Sequence, residues 1–138
     1  MTGNFCYDTD IVPGIKMENF ADYQVAKECK IVVIVGTHKA TARNLDVSIY
    51  NNFGGNLEDV ITISGVPARL DGIEYPEGVV GIVLATGPGN TKVFRSLNLR
   101  EQFKIDEFDA ASFGEVRIDG SSDGQVLHFT ITSMKVVN

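Results

Sequence analysis

Apolar and polar residues alternate with a period of two along most of this 138-residue chain. The alternation is clearest over residues 43–50 (RNLDVSIY), where the three aliphatic residues fall on one side and the polar ones on the other. Residues 29–35 (CKIVVIV) and 79–86 are nearly all apolar, as in strands that are buried on both faces or lie at the centre of a sheet. Gly, Asn and Asp turn signals separate these segments roughly every eight to twelve residues. The pattern predicts an all-β, antiparallel, jelly-roll-like β-sandwich of about eight to ten strands, as one domain over residues 1–138.

Further strands are predicted from the same pattern, over residues 15–25, 57–63, 91–97, 102–108, 113–118 and 125–137. In the last of these, His128 and Thr130 share one face. Residues 65–75 are predicted to be irregular because they contain Pro67 and an Asp71-Gly72 turn signal.

Charge limits the classes of partner. The formal net charge is −6, and the twelve Lys and Arg residues are scattered with no two adjacent. Affinity for nucleic acid depends on clustered cations that neutralise phosphates, so we expect no nucleic-acid partner. No apolar run is long enough to span a bilayer, so we expect no membrane partner either.

The compartment is predicted from the N-terminal residues and the cysteines. The first ten residues (MTGNFCYDTD) have neither the basic nor the apolar region of a signal peptide, which favours a cytoplasmic protein. Two isolated cysteines, Cys6 and Cys29, are typical of free thiols in a reducing compartment, although a disulfide between them would suit a secreted protein.

Clustered catalytic or metal-binding motifs are not evident. The loop at residues 119–123 departs from an EF-hand, residues 85–92 depart from a phosphate loop, and His38 and His128 have no metal ligand at a suitable spacing. Glu58 and Asp59 would point to opposite faces of a strand, so they are interpreted as solvated edge charges. We therefore expect no catalytic residue, metal or cofactor. An enzyme would need one of the histidines to lie in a pocket beside Asp, Glu or Cys.

The polar side of the alternation offers candidates for a binding surface. In residues 43–50 these are Asn44, Asp46 and Ser48, and in the last strand the candidate is His128. Side chains of this kind also cover any solvated sheet, so the pattern alone does not separate a binding face from an ordinary surface.

Several segments resemble the galectins, a family of cytosolic β-galactoside lectins of about this length. Residues 31–37 (IVVIVGT) and 42–47 (ARNLDV) are similar to the early pair of galectin strands. Residues 58–60, followed by Pro67 and Arg69, resemble the next strand, while residues 114–120 (GEVRIDG) and 127–131 (LHFTI) resemble the closing strands. The resemblance implies a sandwich fold, carbohydrate binding, a cytosolic location with non-classical export, and a place for Arg69 among the candidate ligand-binding residues.

The sugar-binding signature of the galectins does not carry over. Its His-x-Asn-Pro-Arg run would fall at residues 63–67, which read ISGVP, and the chain contains no Trp for sugar stacking. The leading hypothesis is a non-enzymatic, lectin-like module that binds a carbohydrate or glycoconjugate. The alternative is a structural or assembly subunit, such as a capsid, tube or adhesion component, that binds no small molecule. A homodimer with two-fold symmetry is the expected assembly in either case.

Overall fold

The computed structural model describes residues 2–6, 11–25, 28–53, 55, 58–90, 93–94, 96–98, 105–118 and 126–130. In these residues twelve antiparallel strands form two sheets. The five-stranded sheet has the order β1 (Thr2–Phe5), β4 (Ile31–Val35), β5 (His38–Ala42), β8 (Ala68–Leu70), β9 (Ile73–Tyr75). The seven-stranded sheet has the order β12 (Val126–Thr130), β11 (Ala111–Arg117), β10 (Val79–Ala85), β7 (Glu58–Gly65), β6 (Leu45–Phe53), β3 (Phe20–Gln24), β2 (Ile15–Lys16). The predicted all-β sandwich is confirmed.

The chain crosses between the sheets after each pair of strands. The pairs β2–β3, β4–β5, β6–β7 and β8–β9 each stay in one sheet, and β10, β11 and β12 form a final meander. The β8–β9 connection is the predicted Asp71-Gly72 turn, with φ angles of 50° and 87°. Positive φ at both central residues is the signature of a type I′ hairpin, which Gly adopts without steric cost.

The core lies between the sheets and follows the predicted alternation. Leu45, Val47 and Ile49 of β6 are almost completely buried, while Asp46 between them is exposed. The same alternation in β7 buries Ile61 and Ile63, and β10 contributes Val80, Ile82 and Leu84. Burial of these aliphatic side chains is the main term that stabilises the sandwich.

The number of strands exceeds the prediction because β1, β5, β8 and β9 lie where no strand was predicted, and because residues 15–25 contain both β2 and β3. Residues 65–75 are therefore not irregular. They contain the short strands β8 and β9, which are too brief to show a period-two pattern. Conversely, the strands predicted over residues 91–97 and 102–108 are wrong where these residues are described, since Ile105–Glu107 forms a 3₁₀ helix. Val93, Phe94, Leu97 and Phe108 are buried side chains that join the core without belonging to either sheet.

Asp59 is not the solvated edge charge that its sequence context predicts. It lies in β7, between β6 and β10, and its side chain is fully buried on the core side of the sheet. Its carboxylate accepts hydrogen bonds from the amides of Asn52 (3.1 Å), Val93 (3.0 Å) and Phe94 (2.8 Å). The burial of this carboxylate is offset by these charge-assisted bonds, which fasten the connection after β10 to the sheet.

Asp71 ties two hairpin turns together at the surface. Its carboxylate lies 2.6 Å from His38 Nδ1 and accepts a 2.8 Å hydrogen bond from the Lys39 amide. The amide of Asp71 in turn donates to the Lys39 carbonyl. The bond to His38, followed by the bond from the Lys39 amide, lowers the pKa of Asp71 below its ordinary value.

The contacts of the Asp71 carboxylate should make part of the free energy of unfolding depend on pH. A carboxylate with a lowered pKa stabilises the fold above its ordinary pKa of about 3.9, and the contribution is lost as pH falls through the folded-state value. The difference in unfolding free energy between the wild type and Asp71→Asn should therefore be full at pH 5 and shrink below about pH 4. Urea denaturation at a series of pH values measures this.

The His38→Ala background supplies the control for the Asp71 experiment. Because the bond to His38 is the largest cause of the lowered pKa, removing the imidazole should reduce the pH-dependent part of the Asp71→Asn effect. An Asp71→Asn effect that stayed constant from pH 5 to pH 2.5 would contradict the prediction.

Cys6 and Cys29 are not joined by a disulfide; Cys6 is exposed and Cys29 is half-buried. Within the described part of the chain, no helix has the length and apolarity needed to cross a membrane.

Candidate binding face

The outer face of the seven-stranded sheet carries a cross-strand line of mostly polar side chains. Strand pairing places six residues opposite one another in succession, and we call them the polar row: Gln24, Asp46, Ser64, Gly81, Glu115 and His128. Adjacent strands are about 4.8 Å apart, so a row across six strands extends roughly 24 Å. The row is therefore long enough for an extended ligand.

Burial of the flanking residues shows that the polar row faces away from the core. Val47 and Ile63, which follow Asp46 and precede Ser64 in their strands, are buried between the sheets. In β12, Leu127 pairs with the buried Val116, so His128 points to the opposite side and is exposed. Successive residues of a strand alternate between faces, which places the row on the outer side of the sheet, where Gly81 is its buried member.

A second row runs parallel to the polar row, and each of its members lies two residues away from a polar-row member in the same strand. It contains Asp22, Ser48, Thr62, Val83, Phe113 and Thr130. The Ser48 hydroxyl donates a 2.6 Å hydrogen bond to Asp22, which fixes both side chains. Hydroxyl and carboxylate groups thus lie side by side on this face, and both accept hydrogen bonds.

The electrostatics of the face are acidic. Although Asp46 is exposed, partial desolvation by its neighbours, and then repulsion from Asp22, raises its pKa. The Arg117 guanidinium pairs with the Glu115 carboxylate at 2.8 Å. Arg117 thus compensates the charge of Glu115, and not the charges of Asp22 and Asp46. A partner of this face should therefore be neutral or cationic and should donate hydrogen bonds.

Aromatic rings border the polar side chains. Phe20 and Tyr50 pair across β3 and β6 with ring centroids 4.8 Å apart and planes tilted by 40°. Phe113, in the second row, keeps 37% of its surface exposed. Exposed aromatic rings beside hydroxyls give a face both apolar area and directional hydrogen bonding.

The structure brings three of the five predicted ligand-binding residues to this face. Asp46 and His128 lie in the polar row, and Ser48 lies in the row beside it. The other two lie elsewhere. Asn44 has a φ of 49° and donates its side-chain amide to the Val66 carbonyl, which is a role in a turn. Arg69 is on the five-stranded sheet, 3.4 Å from Glu74.

Sequence reasoning missed Gln24, Ser64 and Glu115 as members of the polar row. Each is an ordinary outward residue in its own strand, and only the order of strands in the sheet aligns them. A search of the described residues finds no group of three His, Cys, Asp or Glu side chains able to hold a metal ion. Comparison of the chain with protein-family models, curated proteins and solved structures found no match.

Proposed function

We propose that this protein is a non-enzymatic binding module whose polar row binds a neutral oligosaccharide. The observation that carries the proposal is the alignment of Asp46 and His128 in one outward row, with Ser48 beside them. A sugar chain lying across the strands would meet one side chain per strand. Repeated hydroxyl groups on such a ligand match the repeated acceptors of the face.

The charge of the face supports a neutral rather than an acidic glycan. Desolvation, and after it repulsion from Asp22, raises the pKa of Asp46, and a further anion beside these two carboxylates would be repelled. Sugar hydroxyls, in contrast, donate to carboxylates in hydrogen bonds that are stronger than those between neutral groups.

Stacking would differ from that in galectins, whose signature Trp this chain lacks. Phe113 and the Phe20–Tyr50 pair are the aromatic surfaces beside the two rows. We propose that Phe113 takes the apolar face of a sugar ring while Asp46, Ser48 and His128 contact hydroxyls.

A glycan array with neutral and sialylated oligosaccharides, followed by calorimetry on the best neutral ligand, tests the proposal. Asp46→Ala should weaken binding by about tenfold or more, since a hydrogen bond to a charged group contributes roughly 1.5–3 kcal/mol. His128→Ala should weaken it by about two- to tenfold, the effect of a neutral hydrogen bond.

Arg69→Ala is the matched control, because Arg69 is exposed on the opposite sheet. It should leave the affinity for the glycan unchanged. Absence of binding at millimolar glycan, or an equal loss in Arg69→Ala and Asp46→Ala, would refute the proposal.

An assembly subunit is the second candidate, and one surface feature favours it. Val12, Ile15 and Met17 are 84%, 51% and 65% exposed around the edge strand β2. Edge strands with exposed apolar side chains are sites at which chains associate. Sedimentation velocity separates the two candidates, since an obligate assembly subunit would not remain a monomer at high concentration.

A further inference from the structure

An apolar cleft opens between the two sheets, on the other side of β12 from the polar row. Its volume is about 220 Å³. The five-stranded sheet contributes Val33, Val35 and Leu70 to its wall, and the seven-stranded sheet contributes Val116 and Leu127. Ile118, directly after β11, completes the aliphatic lining. Leu127 is 42% exposed although it faces the core side, so the cleft reaches solvent beside the edge strand.

The lining specifies the chemistry of an occupant. The side chains named above are all aliphatic, and among the described residues of the wall His38 is the polar one. Pockets for drug-sized ligands measure roughly 300–1,000 Å³, so this smaller cleft suits a single short hydrocarbon chain. Covering the aliphatic side chains of the cleft with a hydrocarbon chain is favourable, because it removes apolar surface from water.

His38 supplies a polar end to the site. The imidazole is 70% exposed at the mouth of the cleft, its Nδ1 lies 2.6 Å from Asp71, and Nε2 is the ring nitrogen outside that contact. A hydroxyl can donate to an unprotonated Nε2 or accept from a protonated one, so an alcohol satisfies the ring in either state. A carboxylate would instead be repelled by Asp71 and by the net charge of −6.

We propose that the cleft is a second ligand site, which binds an aliphatic alcohol with its chain between the sheets and its hydroxyl on His38. The site differs from the polar row in location and in ligand class, and it does not depend on the oligosaccharide proposal. Leu127 and His128, neighbours in β12, would each serve a different site.

Methyl NMR of the intact protein with straight-chain alcohols as probes tests this proposal. Titration with 1-hexanol should shift the methyl signals of Val33, Val116 and Leu127 and leave those of Val12 unchanged. From 1-butanol to 1-hexanol the affinity should rise by roughly fourfold per methylene, the value expected for burying a CH₂ group. The rise should stop once the cleft is full, and hexanoate should bind more weakly than hexanol.

His38→Ala tests where the hydroxyl of the alcohol binds, and Leu127→Asp tests where its hydrocarbon chain binds. His38→Ala should weaken hexanol binding by about two- to tenfold, whereas His128→Ala, which removes the other histidine, should leave it unchanged. Leu127→Asp should abolish binding, with Val12→Asp as the matched exposed control. The same two histidine variants should have the opposite effects on oligosaccharide binding, so failure of one proposal is distinguishable from failure of the other.

Titration of the wild-type protein with the alcohols tests the proposed site even if Leu127→Asp does not fold. Methyl shifts confined to the cleft, with an affinity that reaches a plateau with chain length, would support the site. Absence of shifts in the cleft, shifts spread over the whole surface, or equal effects of His38→Ala and His128→Ala would overturn it.

Discussion

Replacing Asp59 with alanine should lower the free energy of unfolding by about 3–5 kcal/mol. The substitution removes the acceptor for the amides of Asn52, Val93 and Phe94. A buried donor left without a partner costs roughly 1–3 kcal/mol, and the three costs overlap because the structure relaxes around the same gap.

The loss should extend beyond the side chain because Asp59 is part of a larger network. Its amide donates to the Thr86 hydroxyl at 2.9 Å, and that hydroxyl donates to the Asn90 carbonyl at 2.7 Å. The Thr86 amide also donates to the Asp59 carbonyl. With the carboxylate removed, residues 93–94 lose their attachment to β7, and the burial of Phe94 weakens with it.

Chemical denaturation at neutral pH measures the effect. Asp59→Asn keeps one oxygen acceptor but places an amide donor against at least one backbone amide, so its cost should be intermediate, about 1–3 kcal/mol. Asp106→Ala, at an exposed carboxylate, should change stability by less than about 0.5 kcal/mol. A cost below about 1 kcal/mol for Asp59→Ala would contradict the structural role assigned to it.

Gly65→Ala should destabilise the protein by about 2–3 kcal/mol, because the core offers no room for one more methyl group. A Cβ at this position would lie 2.6 Å from Leu45 Cδ2, 2.9 Å from Ala42 Cβ and 2.9 Å from the Arg43 carbonyl oxygen. The leucine methyl can rotate, but Ala42 and the Arg43 carbonyl oxygen cannot move away without shifting the end of β5 and its connection to β6.

Gly81→Ala is the matched control for Gly65→Ala. Gly81 lies in the adjacent strand β10 and pairs with Ser64, the neighbour of Gly65. Its added Cβ would come no closer than 3.7 Å to the Ile63 carbonyl oxygen and Ser64 Cβ, which is ordinary van der Waals contact. Thermal and urea denaturation should show little change for Gly81→Ala. Equal losses for the two variants would show that loss of glycine, rather than crowding, governs stability.

The sequence predicted the two-layer fold well where alternation is local. Residues 43–50 became β6 with Leu45, Val47 and Ile49 inward, because a period-two pattern is a property of one strand. The short strands β8 and β9 escaped prediction, since three residues are too few to establish a period. Val93 and Phe94 were predicted to lie in a strand because they are apolar. They are apolar because they are buried, and burial does not require pairing in a sheet.

The candidate site was predictable residue by residue but not as a whole. Asp46 and His128 each carried the signal of an outward polar position in a strand. Their alignment depends on the order β6, β7, β10, β11, β12, which no local pattern specifies. The burial of Asp59 could not be predicted for a related reason. Two of the amides that donate to its carboxylate lie 34 and 35 residues further along the chain.

The position of β12 at the edge of the sheet has a consequence for how the sequence can change over time. Leu127 and His128 point to opposite sides of this strand, so adding or deleting one residue within it would exchange their surroundings. Both surfaces would be lost in a single genetic event, whereas an insertion in a hairpin turn would spare them. Selection for either proposed ligand would therefore preserve the length of β12 and, with it, the other proposed site.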